Sequence, residues 1–404
     1  MTDAEYLAAI EAAAAPGVAS LEGFSQAVIV DGGMLGASLA AALLEQGLAT
    51  TLIEEDAGAV ERALLALDRM IEQRVAAGEQ TAAAAAQQRA ASRVCSDPAD
   101  VAGADLVIAP ADALRAITAP ARLRISLSDP AALPGLPDAA QTVAMGLTAP
   151  VYATHIVELA CGSASTDTVT AAQEVIGSLR LIEIRSDTWL APLMLDAFRE
   201  TADALLMEAA TPWELDDAMT GFGFAMGVFE AQDHEGLDLA YARRRMAGSG
   251  PRSRRMLISD RMVQEGRLGR KVGVGWYRYP GGGGLVVDPL IEDMITEEAW
   301  FAKLERVTRS DAQMVERLVL AAINHAAGLL EAGVSLRADD LDILSVHVLG
   351  FPREKGGLLR YADHLGAAHV LDRLRALQPE DPTFWTPSAR IARMAAIGGR
   401  FTPA

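Results

Sequence analysis

The chain has 404 residues, 51% of them hydrophobic and 22% charged, with 35 Lys and Arg against 54 Asp and Glu for a net charge of −19. That apolar fraction excludes a disordered chain and supplies cores for two to three domains, while the acidity disfavours nucleic acid and anionic membranes as partners. Two cysteines, Cys95 and Cys161, make neither a disulfide framework nor a zinc site, and no histidine–carboxylate cluster marks a metal.

Residues 4–15 are Ala-rich and read as a helix ended by Pro16-Gly17. Phe24 to Val30 reads as a buried strand running into Asp31-Gly-Gly-Met-Leu-Gly36. A helical pattern from Ala37 to Glu45 follows, then a second strand from Leu48 to Ile53 and the acids Glu54-Glu55-Asp56. Strand, glycine-rich turn, helix, strand and acid compose one βαβ unit. Helices are expected at 59–76 and 80–92, and later strands of the same sheet at Ala104–Pro110 and Leu123–Leu127. From about residue 189 helical periodicity takes over, with long amphipathic helices at Leu190–Ala210 and Asp311–Ala332. Between them, residues 243–278 carry eleven basic and two acidic side chains, and Gly281–Gly284 reads as a flexible loop. The acidic N-terminal residues are unlike a signal peptide, no apolar run free of charge is long enough to cross a membrane, and Arg400–Ala404 matches no peroxisomal or retention address. The expectation is a cytoplasmic protein.

The helical half reads as a duplication. Asp233-His-Glu-Gly236 recurs as Asp363-His-Leu-Gly366, 130 residues on. Leu205-Leu-Met-Glu with Asp216-Asp217 is matched by Leu329-Leu-Glu with Asp339-Asp340. The expected architecture is an α/β Rossmann-like N-terminal domain followed by two related all-α modules. Its boundaries are an N-terminal helical segment at 1–22, a dinucleotide-binding domain at 23–188, and helical modules at 189–290 and 291–404.

In a Gly-x-Gly-x-x-Gly turn the first glycine permits the tight turn, the second lets the backbone approach a pyrophosphate, and the third packs helix on strand. With Gly36 as the third, Gly33 is the second and Asp31 replaces the first. Glu54, 18 residues after Gly36, stands where an acid grips an adenosine ribose, which favours NAD over NADP. Asp31 tolerates unusual backbone, but a carboxylate about 5 Å from a phosphate at an effective dielectric near 20 costs roughly 3 kcal/mol. Two readings stay open: a turn that binds NAD, and a nucleotide fold kept as scaffold.

Longer segments carry a family resemblance. They are Val28–Gly36, Ile156-Val-Glu-Leu159, Phe222-Gly-Phe-Ala-Met-Gly227, Asp233–Asp238, Leu268-Gly-Arg-Lys-Val-Gly-Val-Gly-Trp-Tyr-Arg-Tyr279 and Gly350-Phe-Pro-Arg-Glu-Lys-Gly-Gly-Leu-Leu-Arg-Tyr-Ala-Asp363. Together they resemble the 3-hydroxyacyl-CoA dehydrogenases over nearly the whole chain. The likeness is to the dehydrogenase part of multifunctional β-oxidation enzymes, without the hydratase domain. The resemblance implies NAD as cofactor, an acyl-CoA thioester as small-molecule partner, and a second helical module in place of a partner subunit, so that a monomer is possible. It also implies hydride transfer from C3 of a 3-hydroxyacyl-CoA, with a histidine taking the hydroxyl proton, a glutamate orienting it and an asparagine holding the substrate.

Three of those positions are changed. Twelve residues before Glu158, the family histidine is Gly146, and the asparagine of that segment is Ala149. The asparagine of the later Phe-x-x-Asn-Arg motif is Pro192, in Trp189-Leu-Ala-Pro-Leu193. Glu158 survives, and the family's Ser-Asn-Thr-Ser strand end is reduced to Ser126-Leu-Ser128-Asp129. The short stretch between Ile108 and Ser126 suggests a lost helix. A missing general base lowers a rate by roughly 10²–10⁴. The expected catalytic set is therefore Glu158 with Ser126, and the cofactor set Asp31, Gly33, Gly36 and Glu54. His155, three residues before Glu158, would face the other side of a strand and reads as a surface residue. His234 and His364 read as helix-capping or packing residues, and His325, His347 and His369 lack an acid at a telling spacing. Arg243, Arg244, Arg245, Arg252, Arg254 and Arg255 read as a solvated linker or as receivers of CoA phosphates. Three functions remain: a divergent NAD-linked dehydrogenase, a non-catalytic acyl-CoA-binding or assembly protein, and non-redox chemistry with Glu158 as lone acid or base.

Overall fold

The computed structural model describes residues 1–17, 19–147, 155–246 and 256–403. They form two compact units, one of residues 8–190 and one of residues 1–7 with 191–404. Helix α1 (Asp3–Ala14) belongs partly to each.

The first unit is built on a sheet that has eight strands among the described residues. In chain order it contains β1 (Gln26–Val30), α2 (Gly33–Glu45), β2 (Ala49–Ile53), α3 (Ala57–Ala76), α4 (Ala82–Ala91), β3 (Ser92–Cys95), β4 (Leu106–Ala109), α5 (Ala111–Ala116) and β5 (Leu123–Ser126). Then come β6 (Thr142–Gly146), β7 (Ile156–Ala160), α6 (Thr166–Ser178) and β8 (Ile182–Arg185). The order across the sheet is β3-β2-β1-β4-β5-β6-β7-β8. The strands from β3 across to β6 run parallel, β7 runs antiparallel to β6, and β8 runs parallel to β7. The order in which strands are added reverses about β1, so β1 and β4 flank the crevice where open α/β sheets bind ligands.

Both faces of the sheet are covered, which is why its strands read as apolar runs rather than alternations. Ala27 and Ile29 join the core under α2, α3 and α6, with Leu39, Leu43, Leu52, Leu67, Leu106 and Val175. Val28 points the other way, into a core with Ile53, Val107, Ala109, Leu114 and Leu133. The strand at Ser92–Cys95 was hidden by the alanine run before it, since residue 92 reads as the end of a helix. Between Ile108 and Ser126 a helix is shortened to the six residues of α5 rather than lost.

The helical unit comprises α7 (Leu190–Glu208, all but its first residue), α8 (Pro212–Phe222), α9 (Val228–Glu235), α10 (Leu237–Met246) and α11 (Leu257–Gln264). The short antiparallel pair β9 (Tyr277–Arg278) and β10 (Val286–Val287) follows, joined through the Gly281–Gly284 segment. The chain then forms α12 (Pro289–Phe301), α13 (Asp311–Glu331), α14 (Ala338–Val348), α15 (Leu358–Leu365), α16 (Ala367–Leu377) and α17 (Ala389–Ile397).

Buried carboxylates show the duplication in three dimensions. Asp216 in α8 accepts the N–H groups of Phe229 and Glu230 at the start of α9. Asp342 in α14 does the same for Leu359 and Arg360 at the start of α15. A Cβ on Gly227 would collide with Asp216, as one on Gly357 would with Asp342. The register of the flanks is thereby corrected: Asp216 matches Asp342, not Asp339 or Asp340. The repeated Asp-His motif also has a structural task in both copies. Asp233 accepts from the backbone of Trp276 and Tyr277 and from the Tyr279 hydroxyl, and Asp363 from the backbone of Phe401 and Thr402 and from the Thr402 hydroxyl.

One partner is supplied from far away. The Tyr277 hydroxyl donates to Asp216, and in the second copy the Tyr6 hydroxyl is shared between Asp342 at 3.1 Å and Asp339 at 2.9 Å. Asp3 adds contacts to Arg360 and His364, so the first residues of the chain complete the second module. The modules meet through Phe224 and Phe351, edge to face at 5.5 Å, and through the Ala225 N–H on the Gly350 carbonyl.

Candidate functional site

The carboxyl edge of the sheet gathers most of the expected site residues. At the end of β1, Asp31 holds φ +47, the left-handed conformation that the missing glycine would supply, and aspartate is among the side chains that tolerate it. Its N–H is tied to the Ile53 carbonyl at 2.8 Å, and its side chain is exposed. Gly36 packs α2 against β1, since a Cβ there would stand 3.2 Å from Ile29 Cγ2. Gly33 has φ +52 and open space over it. Gly32, unremarked in the sequence, is the tightest position: a Cβ would come within 2.5 Å of the Gly36 Cα. Its signal is only the doubled glycine before a helix.

Glu54 comes to this turn from the end of β2. It is buried, and its Oε1 accepts the Gly33 N–H at 3.2 Å. Burial pushes its carboxyl above the ordinary glutamate range; the Gly33 N–H opposes the shift and the Asp31 charge adds to it. The turn thus presents open space over a backbone that can approach closely, a helix start with no side-chain cap from Gly32, and an acid poised at the β2 end. These residues fit a dinucleotide. The first turn of α2 would hold its pyrophosphate and Glu54, which takes the Gly33 N–H, its ribose, with Asp31 as a repulsive charge beside them.

Further along the same edge lie the residues expected to carry chemistry. Ser126 ends β5, almost fully buried, and its hydroxyl accepts the Ser128 N–H at 3.2 Å. Ser128 in turn accepts the Ala111 N–H at 2.9 Å, so the reduced strand end braces its own turn and the start of α5. Gly146 ends β6, and the antiparallel register sets it directly across from Glu158 in β7. Glu158 is 4% exposed, and its Oε2 accepts the N–H of Leu190, the first residue of α7.

The space a side chain at 146 would enter is already filled. A Cβ there would stand 3.1 to 3.3 Å from three ring atoms of Trp189. Gly146, Glu158 and Trp189 are therefore brought together, whereas Pro192 stands in the first turn of α7 and belongs to the helical unit. Ala149 lies outside the described residues. His155 stands exposed just before β7 with φ +53, its carbonyl holding the Ile182 N–H.

In the basic stretch, Arg243 pairs with Asp196 and Glu235, and Arg244 with Asp260. Arg261, Arg267 and Lys271 are likewise paired with Glu298, Asp288 and Asp238. These five charges are answered within the helical unit, while Arg245, Arg270 and Arg278 are exposed. Arg252, Arg254 and Arg255 lie outside the described residues. Among the described residues no three His, Cys, Asp or Glu side chains are grouped to hold a metal, and no helix is long and apolar enough to cross a membrane.

Residues 26–111 match the 3-hydroxyacyl-CoA dehydrogenase, NAD binding domain, and residues 191–279 match the 3-hydroxyacyl-CoA dehydrogenase, C-terminal domain. The cofactor of the N-terminal match is NAD. A peroxisomal bifunctional enzyme from Danio rerio is 30% identical over 290 residues, which are 66% of this chain and 40% of the relative. A peroxisomal fatty acid beta-oxidation multifunctional protein from Oryza sativa subsp. japonica is 34% identical over 185 residues, 44% of this chain and 26% of the relative. The chain spans less than half the length of these curated relatives. Among solved structures, the 3-hydroxybutyryl-CoA dehydrogenase of Escherichia coli K12 superposes with a TM-score of 0.74 at 17% identity, over 93% of this chain and 98% of its own. The dehydrogenase part of multifunctional enzyme 1 from C. elegans gives 0.67 at 18% identity, over 96% of each. These two likenesses show the same α/β-then-helical fold. In succession along the chain, residues 26–111 and 191–279 thus match the two domains of 3-hydroxyacyl-CoA dehydrogenases.

Proposed function

We propose that this chain binds NAD and an acyl-CoA thioester on the dehydrogenase scaffold without the family's ordinary rate of hydride transfer. The observation that carries this reading is the indole of Trp189 against Gly146, opposite Glu158: the place of the general base is not merely vacant but packed. NAD, when bound, supplies a hydride acceptor. This chain's own residues position the dinucleotide at Gly33 and Glu54, and Gly146, opposite Glu158, offers no side chain to take a hydroxyl proton. Glu158 instead holds the first N–H of α7, an anchoring task that explains why it is kept when its histidine is gone. Pro192 cannot replace the substrate-holding asparagine, since its ring offers no donor. The intramolecular contact of the two helical modules favours a monomer.

The test is NADH fluorescence titration alongside NADH oxidation with β-ketoacyl-CoA thioesters of several chain lengths. Binding of NADH with turnover at least a hundredfold below an active dehydrogenase supports the reading, and rapid turnover of any chain length overturns it. A divergent dehydrogenase is the second reading, favoured by the retention of Glu158 on the edge that carries the dinucleotide turn. It requires that Glu158→Gln abolish oxidation.

A further inference from the structure

The helical unit contains an open-mouthed cavity of about 590 Å³ that shares no residue with the dinucleotide turn or the Glu158 niche. Helices α8, α13, α15 and α16 wall it. Phe222, Val315, Val319 and Leu365 make its lining apolar, and Asp217, Asp311, Glu316 and His369 bring polar groups to it. Its size lies within the range of small-molecule sites, which pair an apolar lining with a few polar groups.

Gly221, in the last turn of α8, is part of the wall. A Cβ at this position meets nothing within 4 Å, and its φ is not left-handed, so neither neighbours nor backbone call for glycine. A larger residue would favour the helix and narrow the cavity, because glycine is among the poorest helix formers. The wall is open where the fold does not need it to be.

The charges choose the ligand. Glu316 is held by Arg373 through two contacts of 2.7 Å, and that guanidinium keeps its carboxyl below the usual range. The Lys355 ammonium stands 4.6 Å from the Phe222 ring centroid and 5.6 Å from that of Tyr361, so these rings already face a cation. The start of α13 would attract an anion, but the Ser310–Gln313 capping box occupies it and Asp311 brings negative charge there. Asp217 and Asp311 line the cavity as exposed acids. We propose that this cavity binds an apolar molecule bearing a protonated amine, at a site separate from the dehydrogenase site.

Calorimetric titration of the full chain at neutral pH with octylamine, octanol and octanoate tests this. The expected result is one octylamine per chain, bound at least tenfold more tightly than octanoate. Gly221→Leu should remove that binding without lowering the melting temperature and with NADH binding unchanged. As a second variant, Asp217→Asn with Asp311→Asn should weaken octylamine about threefold to tenfold and leave octanol unaffected, the range for exposed charge pairs. Absence of octylamine binding, octanoate binding as tightly as octylamine, or octylamine binding unchanged in Gly221→Leu would each overturn the assignment.

Discussion

Gly146 and Glu158 face each other across two antiparallel strands, and the indole of Trp189 closes the space above the glycine. The glutamate that would charge a catalytic base therefore stands opposite a residue with no side chain. The ring that takes that space comes from the residue just before α7.

Restoring the histidine alone should fail. Gly146→His places a Cβ about 3.1 Å from the indole, so Trp189 has to shift and the core is overpacked, at about 1–3 kcal/mol. The single variant should melt earlier than the parent and gain no NADH oxidation. Gly146→His combined with Trp189→Phe and Pro192→Asn should recover stability and gain activity, read from thermal melts and the oxidation assay together. Gain of activity by the single histidine would show that the indole is no obstacle.

Removing Glu158 should cost stability before it costs any reaction. Glu158→Ala leaves the buried Leu190 N–H without its acceptor, a loss of about 1–3 kcal/mol in urea unfolding. Glu158→Gln keeps an acceptor oxygen and should lose less. Equal stability of alanine variant and parent would remove the anchoring role.

Asp31→Gly should tighten NADH binding. Glycine adopts the left-handed backbone freely and takes away a carboxylate from the turn where the phosphates would lie. Because Asp31 is exposed and screened by water, the gain should be about tenfold rather than the hundredfold of a fully effective charge. The difference between variant and parent should shrink as salt rises. An unchanged Kd across salt concentrations would show that the charge does not reach the ligand.

The helical modules should lose stability as pH rises from about 4 to 8. Burial pushes Asp216 and Asp203 up to about 7 and Asp342 up to about 8, against backbone N–H groups that pull the other way. Each folded-state value is raised above the unfolded one, so the stabilisation is complete below the unfolded value and is lost as pH rises through the folded value. Asp342→Asn should flatten the pH dependence of the melting temperature in that window. Tyr6→Phe, which removes the hydroxyl shared by Asp342 and Asp339, should lower stability by about 1 kcal/mol. A pH profile identical to the parent's in Asp342→Asn would exclude this carboxyl as a source.

By itself the sequence determined the βαβ unit, the Asp31 defect, the likeness to 3-hydroxyacyl-CoA dehydrogenases, the absence of histidine at 146 and the existence of the helical repeat. All of these rest on local periodicity, on motif spacing or on residue identity, which are written along the chain. Only the tertiary structure decided what became of the altered positions. That Trp189 fills the space over Gly146 depends on a contact across 43 residues of sequence, and that Glu158 anchors Leu190 on one across 32. The repeat's register was set three-dimensionally too, because loops of unequal length shift the matched aspartates from 126 residues apart at Asp216 and Asp342 to 130 at Asp233 and Asp363. The part played by Tyr6 was out of reach for the same reason: its partner Asp342 lies 336 residues away, and nothing local distinguishes that tyrosine from one at the surface.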